Sequence, residues 1–495
     1  MKNRFKGILA IIILSSINTK AQSDADALRY SQTSITGTAR FTSMSGAFGA
    51  LGGDFSSAAL NPAGLGIYRK SEFTISTSLY MNSTTTDFLG KSATENKFNF
   101  NIPDFGFAFT HLTRADRKEE QGWKSVTVGI GLTRINNFHT HSFYESLNID
   151  NSLLNHFVEN ANNSSTLDPF YEQLAFDAGI IYRDTTDDHY ISDMGDPLFD
   201  KPGKYPITQR RSSTTRGGIN EWDFSLGANY NNLFYLGGSI GISSLRYLEE
   251  SIYSEDDKDN IIPVLNNYSL QQDVTTTGTG VNLKLGVIVR PAEWVRIGAA
   301  FHSPTLYANM HDNYKNSINS SLENIPTTKQ ESPDGAYDYT LVTPLKAIGS
   351  VAFIIAKTGL ISADYELVDY AGSRFDASDA SFSVVNDAIR TKYTSSGNFR
   401  LGGEYRWNAI SFRAGYGLYG SPFSKKEKIS GSDYSKTYVT GGLGIRDKNY
   451  FIDLGYAYSE SNEYYQAYTI QDVAVAGSKN NVVNHNFVVT FGVKF

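Results

Sequence analysis

Apolar and polar positions alternate along many short stretches of this chain. Near its end, Phe487, Val489 and Phe491 alternate with Asn486 and Thr490. Because successive side chains of a β-strand point to opposite faces, such a stretch has one apolar face and one polar face. The pattern predicts about fifteen candidate strands, near residues 71–82, 102–112, 123–137, 174–183, 221–231, 233–247, 281–290, 294–302, 341–356, 359–369, 397–407, 409–419, 437–446, 450–459 and 485–495.

Two architectures present this alternation, and the lengths of the connections distinguish them. A soluble sandwich buries its apolar faces in a core, whereas a transmembrane barrel turns them towards lipid. Very short turns, such as 231–232 and 408–409, join some strands, and long polar stretches, such as 184–220 and 303–338, join others. This sorting is typical of outer-membrane barrels, which also have even numbers of strands. We therefore predict an all-β fold, a transmembrane antiparallel β-barrel of about 14 strands, with the candidate 174–183 as a loop element.

The composition fits this prediction and excludes several other classes of protein. The 31 Tyr, 30 Phe and 43 Gly residues suit aromatic girdles and closely packed strands. A net charge of −7 gives no reason to expect a nucleic-acid partner. The chain has no Cys, which excludes disulfides, thiolate metal sites and a lipid anchor on an N-terminal Cys. No cofactor and no enzymatic activity are expected.

Residues 1–21 have the three parts of a cleaved signal peptide. Basic residues come first, an apolar run follows over residues 7–17, and the small residue Ala21 stands at the cleavage site. The apolar run is too short to cross about 30 Å of hydrocarbon as a helix. We therefore predict export of the chain and a location in the cell outer membrane.

Residues 22–70 do not alternate and precede the predicted barrel, which spans residues 71–495. They are rich in Gly, Ala and Ser, and Pro62 with Gly64 fixes a turn. One interpretation is a flexible leader. The segment is, however, apolar enough to pack and too broken to form strands, so we predict a compact hatch that plugs the lumen. A short helix is predicted at residues 153–158, inside the first long loop.

Several ordered segments resemble the FadL-type transporters of long-chain fatty acids and aromatic hydrocarbons. The likeness begins in the hatch, continues through residues 285–305, 363–366 and 400–405, and ends at Phe495. The hatch residues that carry it, and to which the resemblance assigns gating, are Arg40, Met44, Gly46, Ala47, Phe48, Asn61, Pro62, Ala63 and Gly64. We expect Arg40 itself to make a structural hydrogen bond.

The resemblance implies a monomeric 14-stranded barrel that passes hydrophobic small molecules without an energy source. It also implies a hydrophobic pocket behind the external loops, a gating hatch, and an exit that could lead sideways through the wall. The implied partners are the hydrophobic ligand, outer-membrane lipid and lipopolysaccharide, and the barrel-assembly machinery, for which Phe495 would be the C-terminal signal. No residue is assigned to binding the ligand, because the match is weaker in the loops.

Three groups of residues suggest other chemistry. His139 and His141 lie beside Ser142, but no third partner or oxyanion hole is evident, so a place at the barrel rim or in a loop is expected. The acidic groups at 184–189 and 255–259 lack the glycine-placed spacing of a calcium loop.

The competing function is a structural or adhesin-like surface barrel without transport, which the long acidic loops would suit.

Overall fold

The computed structural model of the protein describes residues 22–148, 150–186, 188–194, 206–356, 358–429 and 431–495. The predicted signal peptide, residues 1–21, lies outside the described residues. Within the described part, no helix is long and apolar enough to cross a membrane. The α-helices of this part are α1 (Asp24–Ser31), α2 (Ala39–Ser43), α3 (Arg114–Arg117), α4 (Leu153–Asn163), α5 (Glu172–Asp177) and α6 (Ser383–Lys392).

Strands make up most of the remaining described chain. They are β1 (Glu72–Phe88), β2 (Lys91–Leu112), β3 (Trp123–Asn137), β4 (Thr140–Asn148), β5 (Tyr182–Arg183), β6 (Tyr190–Ile191), β7 (Ile207–Tyr230), β8 (Phe234–Asp256), β9 (Leu265–Ala292), β10 (Val295–His302), β11 (Leu306–Leu322), β12 (Ile325–Glu331), β13 (Gly335–Val342), β14 (Lys346–Ile355), β15 (Gly359–Asp369), β16 (Arg374–Asp376), β17 (Ser395–Trp407), β18 (Ile410–Tyr419), β19 (Lys436–Arg446), β20 (Tyr450–Tyr465) and β21 (Ser478–Lys494).

The strands close into one antiparallel barrel. β21 pairs with β1, from Phe73 opposite Val493 to Leu79 opposite Phe487, so the first and last strands join. Four positions in the wall are each made of consecutive strands, namely β3 with β4, β10 with β11, β12 and β13 with β14, and β15 with β16. Counted this way, the described residues form the fourteen-stranded barrel that the sequence predicts. Closure pairs the backbone N–H and C=O groups of the first and last strands, which would otherwise have no hydrogen-bond partner in lipid.

The apolar faces of the strands point out of the barrel and the polar faces point in. On β21, Phe487, Val489 and Phe491 are 41% to 49% exposed, whereas Asn486 and Thr490 are buried on the inner side. A sandwich would bury these aromatic and aliphatic side chains against a second sheet. An apolar outer surface on a closed barrel suits a bilayer instead, which confirms the prediction of a transmembrane barrel.

Several strands are longer than the alternation predicts. β7, β8 and β9 include residues 207–220, 249–256 and 265–280, which the sequence pattern assigns to long polar loops. In these extensions Ser, Thr and charged residues occupy both faces. The alternation weakens there because a strand that projects beyond the bilayer has no lipid on either face.

The candidate 174–183 is a loop element, because α5 covers part of it and β5 pairs only with β6, outside the barrel. The helix predicted at 153–158 is α4, which extends to Asn163. We call the barrel end with the short turns the turn end and the other the loop end. α4 and α5 pack on the ends of β8, β9 and β11, and together they form an apolar cap over the loop end.

Candidate functional site

Most of residues 22–70, which we call the lumenal segment, lies inside the barrel, and only Arg69 and Lys70 are exposed at its end. Its first helix, α1, lies in the loop-end half of the barrel, where Tyr30 packs edge to face on Tyr247. Gln22 Nε2 donates to Asp312 Oδ2 at 2.6 Å and ties the start of the segment to β11. α1 therefore occupies the lumen beneath the cap.

The rest of the lumenal segment fills the turn-end half. It consists of α2 and two 3₁₀ turns, Phe55–Ala59 and Pro62–Ile67. The predicted hatch residues of this part are all buried: Arg40, Met44, Gly46, Ala47, Phe48, Asn61, Pro62, Ala63 and Gly64. The structure thus brings the residues that the resemblance singled out into one packed body inside the barrel.

A chain of buried ion pairs anchors α2 to the wall. Arg40 Nε donates to Glu404 Oε2 at 2.8 Å, and Arg413 Nε donates to the same oxygen at 2.6 Å. Arg413 also pairs with Asp453 at 2.6 Å. Burial by itself would lower the pKa of Arg40, but the Glu404 carboxylate raises it, so the guanidinium stays charged. Arg40 therefore joins the lumenal segment to β17.

Asn61 holds the second 3₁₀ turn against the opposite side of the barrel. Its Nδ2 donates to Gly49 O at 2.6 Å and lies 3.4 Å from both Val287 O and Ala299 O of the wall. Its Oδ1 accepts from Ala63 N at 3.1 Å, which caps the turn. The Asn61 side chain thus caps the 3₁₀ turn, joins it to Gly49 within the segment and holds it beside strands β9 and β10 of the wall.

Glycines of the wall let the lumenal segment lie directly on the strands. A Cβ at Gly286 would collide with Asn61, and one at Gly237 would collide with the backbone of Pro62 and Ala63. The same holds around the whole circumference, where a Cβ would lie under 3.0 Å from an atom of the segment at Gly106, Gly129, Gly131, Gly227, Gly237, Gly286, Gly298, Gly402, Gly415, Gly442 and Gly455. The glycine content predicts close packing of strands, but these glycines serve contact between wall and segment.

A cavity of about 120 Å³ lies between α1 and the turn-end part of the lumenal segment. Charged residues line it: Lys284 pairs with Glu221, and Arg400 pairs with Glu366 at 3.2 Å. Lys346 lines the same space and has no ion pair among the described residues. The resemblance implies a hydrophobic pocket; the lining of this cavity is mixed, because inward Lys, Arg and Glu side chains of the strands lie beside apolar residues such as Ile35, Phe41 and Leu60.

The ladder of backbone hydrogen bonds that joins the strands of the wall is interrupted between β2 and β3. The two strands pair only as far as Asp104 opposite Thr133. Beyond that point β2 continues to Lys91 paired with β1, and β4 pairs with β7; no backbone pairing between β2 and β4 occurs in the described residues. The wall therefore has a gap in its hydrogen-bond ladder on the loop-end side of Asp104.

Side chains close this gap, which we call the β2–β4 seam (Glu95, Asn99, Asn137, His139 and His141). Asn99 Nδ2 lies 3.1 Å from His139 Nε2, and Asn137 Nδ2 donates to Asn99 Oδ1 at 3.2 Å. His141 Nδ1 lies 3.4 Å from Glu95 Oε2. Partly exposed contacts of this kind contribute little each, so they hold the two strands together less firmly than a ladder of backbone hydrogen bonds would. The histidines expected at a rim or loop thus lie in the seam; the sequence signal was the break in alternation after Asn137.

The lumenal segment covers the β3 side of the seam from within. Ser34 N donates to Ile135 O at 2.9 Å, and Asn136 Nδ2 donates to Gln32 O at 3.0 Å. Residues 32–36 also line the cavity of about 120 Å³. They therefore lie between the cavity and the gap in the wall.

The remaining candidate groups show no catalytic or metal geometry in the described chain. No cluster of three or more His, Asp or Glu side chains in the described ranges is placed to hold a metal ion. Asp188 pairs with Arg183 at 2.6 Å on the surface, and Asp187 lies outside the described residues. Glu255 is buried in the cap, where it accepts from Leu153 N at 3.0 Å and so holds the start of α4.

No protein-family model and no curated protein sequence matches this chain. Solved structures do match it over nearly its whole length. The toluene transporter TodX of Pseudomonas putida covers 93% of this chain with 99% of its own, at a TM-score of 0.53 and 12% identity. A FadL homologue of Pseudomonas aeruginosa covers 94% with 99% of its own, at a TM-score of 0.55 and 11% identity.

The toluene transporter TbuX of Ralstonia pickettii is similar in the same way. It covers 93% of this chain with 99% of its own, at a TM-score of 0.50 and 16% identity. At such identities the shared property is the fold. The chain therefore has the FadL-type fold, a fourteen-stranded barrel with an N-terminal region of helices and turns in its lumen.

Proposed function

We propose that this barrel carries hydrophobic small molecules passively across the outer membrane, with the lumenal segment as its gate. The observation that carries the proposal is that the segment fills the barrel along its axis, while the wall beside it lacks a backbone ladder at the β2–β4 seam. Between the cavity of about 120 Å³ and the turn end, ion pairs and close packing hold the lumenal segment against the wall. We therefore infer a route that enters at the loop end and leaves sideways through the seam.

The ligand class is inferred from the fold relatives and from this route. TodX and TbuX are described as toluene transporters; we extend to this chain only the class, hydrophobic compounds of the fatty-acid or aromatic-hydrocarbon type. A molecule that leaves through the seam enters the bilayer directly, where burial of apolar surface stabilises it by roughly 0.8 kcal/mol per methylene. This driving force needs no energy source. The charged lining of the cavity favours ligands with a polar group at one end.

Gating follows from the position of residues 32–36. When these residues move away from β3, the cavity and the inner side of the seam become continuous. The hatch residues around Arg40 and Asn61 would then set how firmly the segment stays closed, because they hold it to β17 on one side and to β9 and β10 on the other.

Cross-linking the seam tests the route. The chain has no Cys, so two introduced thiols can be joined selectively. In the double variant Asn99→Cys, His139→Cys, a short cleavable thiol–thiol linker would tie the two sides of the seam together. We expect uptake of a hydrophobic probe into cells or liposomes to fall to the level without the protein, and to recover when the linker is cleaved. Unchanged uptake in the linked state would refute exit through the seam.

The matched control links two positions where the ladder already seals the wall. Asn462 and Asn481 lie opposite each other on β20 and β21, and the linked Asn462→Cys, Asn481→Cys variant should transport normally. A deletion strain, which lacks the protein, tests whether the protein transports hydrophobic molecules at all, whatever the exit route. If it takes up every hydrophobic probe as fast as the wild type, transport itself is refuted.

The proposed location is the cell outer membrane, reached by export and cleavage of residues 1–21. The proposed partners are outer-membrane lipid, lipopolysaccharide and the barrel-assembly machinery. Phe495 is 63% exposed at the turn end, and its backbone pairs with Ser71, so its side chain is accessible to that machinery. We propose a monomer without cofactor, nucleic-acid partner or enzymatic activity.

One observation favours a second function, a structural or adhesin-like surface barrel. The cap over the loop end has a buried apolar core, which includes Leu154, Phe157 and Tyr268. A well-packed cap opposes entry of a ligand from outside. Equal uptake by the wild type and the deletion strain would support this second function.

A further inference from the structure

A second cavity opens at the turn end of the barrel. Its volume is about 250 Å³. It lies between residues 51–53 of the lumenal segment and strands β10, β15, β17 and β19. Its charged lining consists of four arginines and one carboxylate, namely Arg40, Arg296, Arg406, Arg446 and Glu404.

The carboxylates near this cavity are already engaged. Glu404 accepts from both Arg40 and Arg413, so two guanidinium groups share it. Asp453 is shared in the same way, at 2.6 Å from Arg413 and 3.3 Å from Arg446. A third buried carboxylate, Asp54, also interacts with Arg40 and Arg446, and it accepts hydrogen bonds from Thr38 Oγ1 and Ser56 N. The arginines of this region therefore outnumber its carboxylates.

The other two arginines have no counter-charge in the described part of the chain. Arg296 and Arg406 line the cavity and form no ion pair there. The Nε atoms of Arg296 and of Arg446 are buried without a hydrogen-bond partner. Buried donors are normally satisfied, and a cationic donor left unpaired is especially unfavourable. The cavity therefore holds excess positive charge together with unused donors.

We propose that this cavity, the arginine pocket, binds a small oxyanion, a phosphate or carboxylate group, from the turn end, which we place on the periplasmic side because the short turns of outer-membrane barrels face the periplasm. Guanidinium groups present paired donors that match the oxygens of these groups. Arg40 Nη1 also donates to Gly53 O at 3.2 Å, and Arg296 Nη1 donates to Leu51 O at 2.7 Å. A bound oxyanion offsets the repulsion among the cations and so strengthens their hold on the lumenal segment. This inference does not depend on transport.

Calorimetric titration of the purified barrel in detergent tests the proposal. Inorganic phosphate and succinate are the two probes, and sodium chloride at matched ionic strength is the reference. We expect saturable binding of phosphate, succinate or both, and a higher unfolding temperature in their presence. Binding of one probe alone assigns the pocket to that oxyanion. An equal effect of chloride would show general screening and would overturn the proposal.

Substitution of the unpaired arginines locates the binding. In Arg296→Gln, Arg406→Gln the affinity should fall about tenfold or more, as expected for loss of charge-assisted hydrogen bonds. Arg406→Gln alone, at an exposed position, should also weaken binding and guards against misfolding of the double variant. The control is Arg117→Gln, exposed on α3 at the same end, which should bind normally. Wild-type affinity in both pocket variants would overturn the proposal.

Discussion

Replacement of Asn61 by Ala measures how firmly the lumenal segment is held in the barrel. The side chain is 1% exposed and makes two good hydrogen bonds, 2.6 Å to Gly49 O and 3.1 Å from Ala63 N. Loss of the capping bond costs about 1 kcal/mol, and loss of the buried bond to the carbonyl costs about 1–2 kcal/mol. The contacts at 3.4 Å to Val287 O and Ala299 O are too long to add much. The expected loss is about 2–3 kcal/mol.

This loss applies to docking of the segment, because the strands close without the Asn61 side chain. The undocked population should rise roughly 30- to 150-fold, at about 1.4 kcal/mol per factor of ten. Hydrogen exchange followed by mass spectrometry in detergent is the assay: amides of residues 38–68 should exchange faster by that factor, and amides of the wall should not change.

The control is Asn96→Ala, an exposed position on β2 away from the segment, which should exchange like the wild type. Wild-type exchange of residues 38–68 in Asn61→Ala would refute the role given to this side chain. Equal acceleration throughout the wall would also refute it, since Asn61 would then support the barrel and not the segment alone.

Two further substitutions test buried carboxylates. Glu404→Gln leaves Arg40 and Arg413 without their shared carboxylate, which costs about 3–5 kcal/mol when a buried pair is broken; we expect a lower unfolding temperature in detergent, and an unchanged one would contradict the anchoring role. Glu255→Gln removes a carboxylate that accepts several hydrogen bonds in the cap, so limited proteolysis within residues 150–186 should accelerate about tenfold or more. Cleavage at the wild-type rate would contradict that role.

The strands that span the bilayer could be predicted closely from the sequence. The predicted ranges 123–137 and 359–369 coincide with β3 and β15. In these stretches each side chain faces either lipid or the lumen, so apolar residues alternate with polar or small ones. The extension at 265–280 could not be predicted because polar residues occupy most of its positions and its buried apolar residues, Leu265, Tyr268 and Leu270, do not alternate regularly, although it continues β9 without interruption.

The internal contacts could be predicted much less well. Arg40 and Glu404 are separated by 364 positions in the chain, and no local pattern indicates that they meet. The sequence shows a high glycine content, but it does not indicate which glycines of the wall, such as Gly286, touch the lumenal segment. The seam was visible only as an end of alternation after Asn137, and its histidines suggested a rim.

Alternation along single strands is therefore enough to establish a membrane-spanning barrel with an irregular N-terminal segment. The reason is that alternation depends only on what each face of a strand touches, which is a local property. Which carboxylate meets which arginine, where the ladder of the wall breaks and which part of the segment covers the break depend on the closure and register of all the strands together. Those contacts include pairs 40 positions apart, as for Asn99 and His139, and 364 positions apart, as for Arg40 and Glu404, so only the closed barrel decides them.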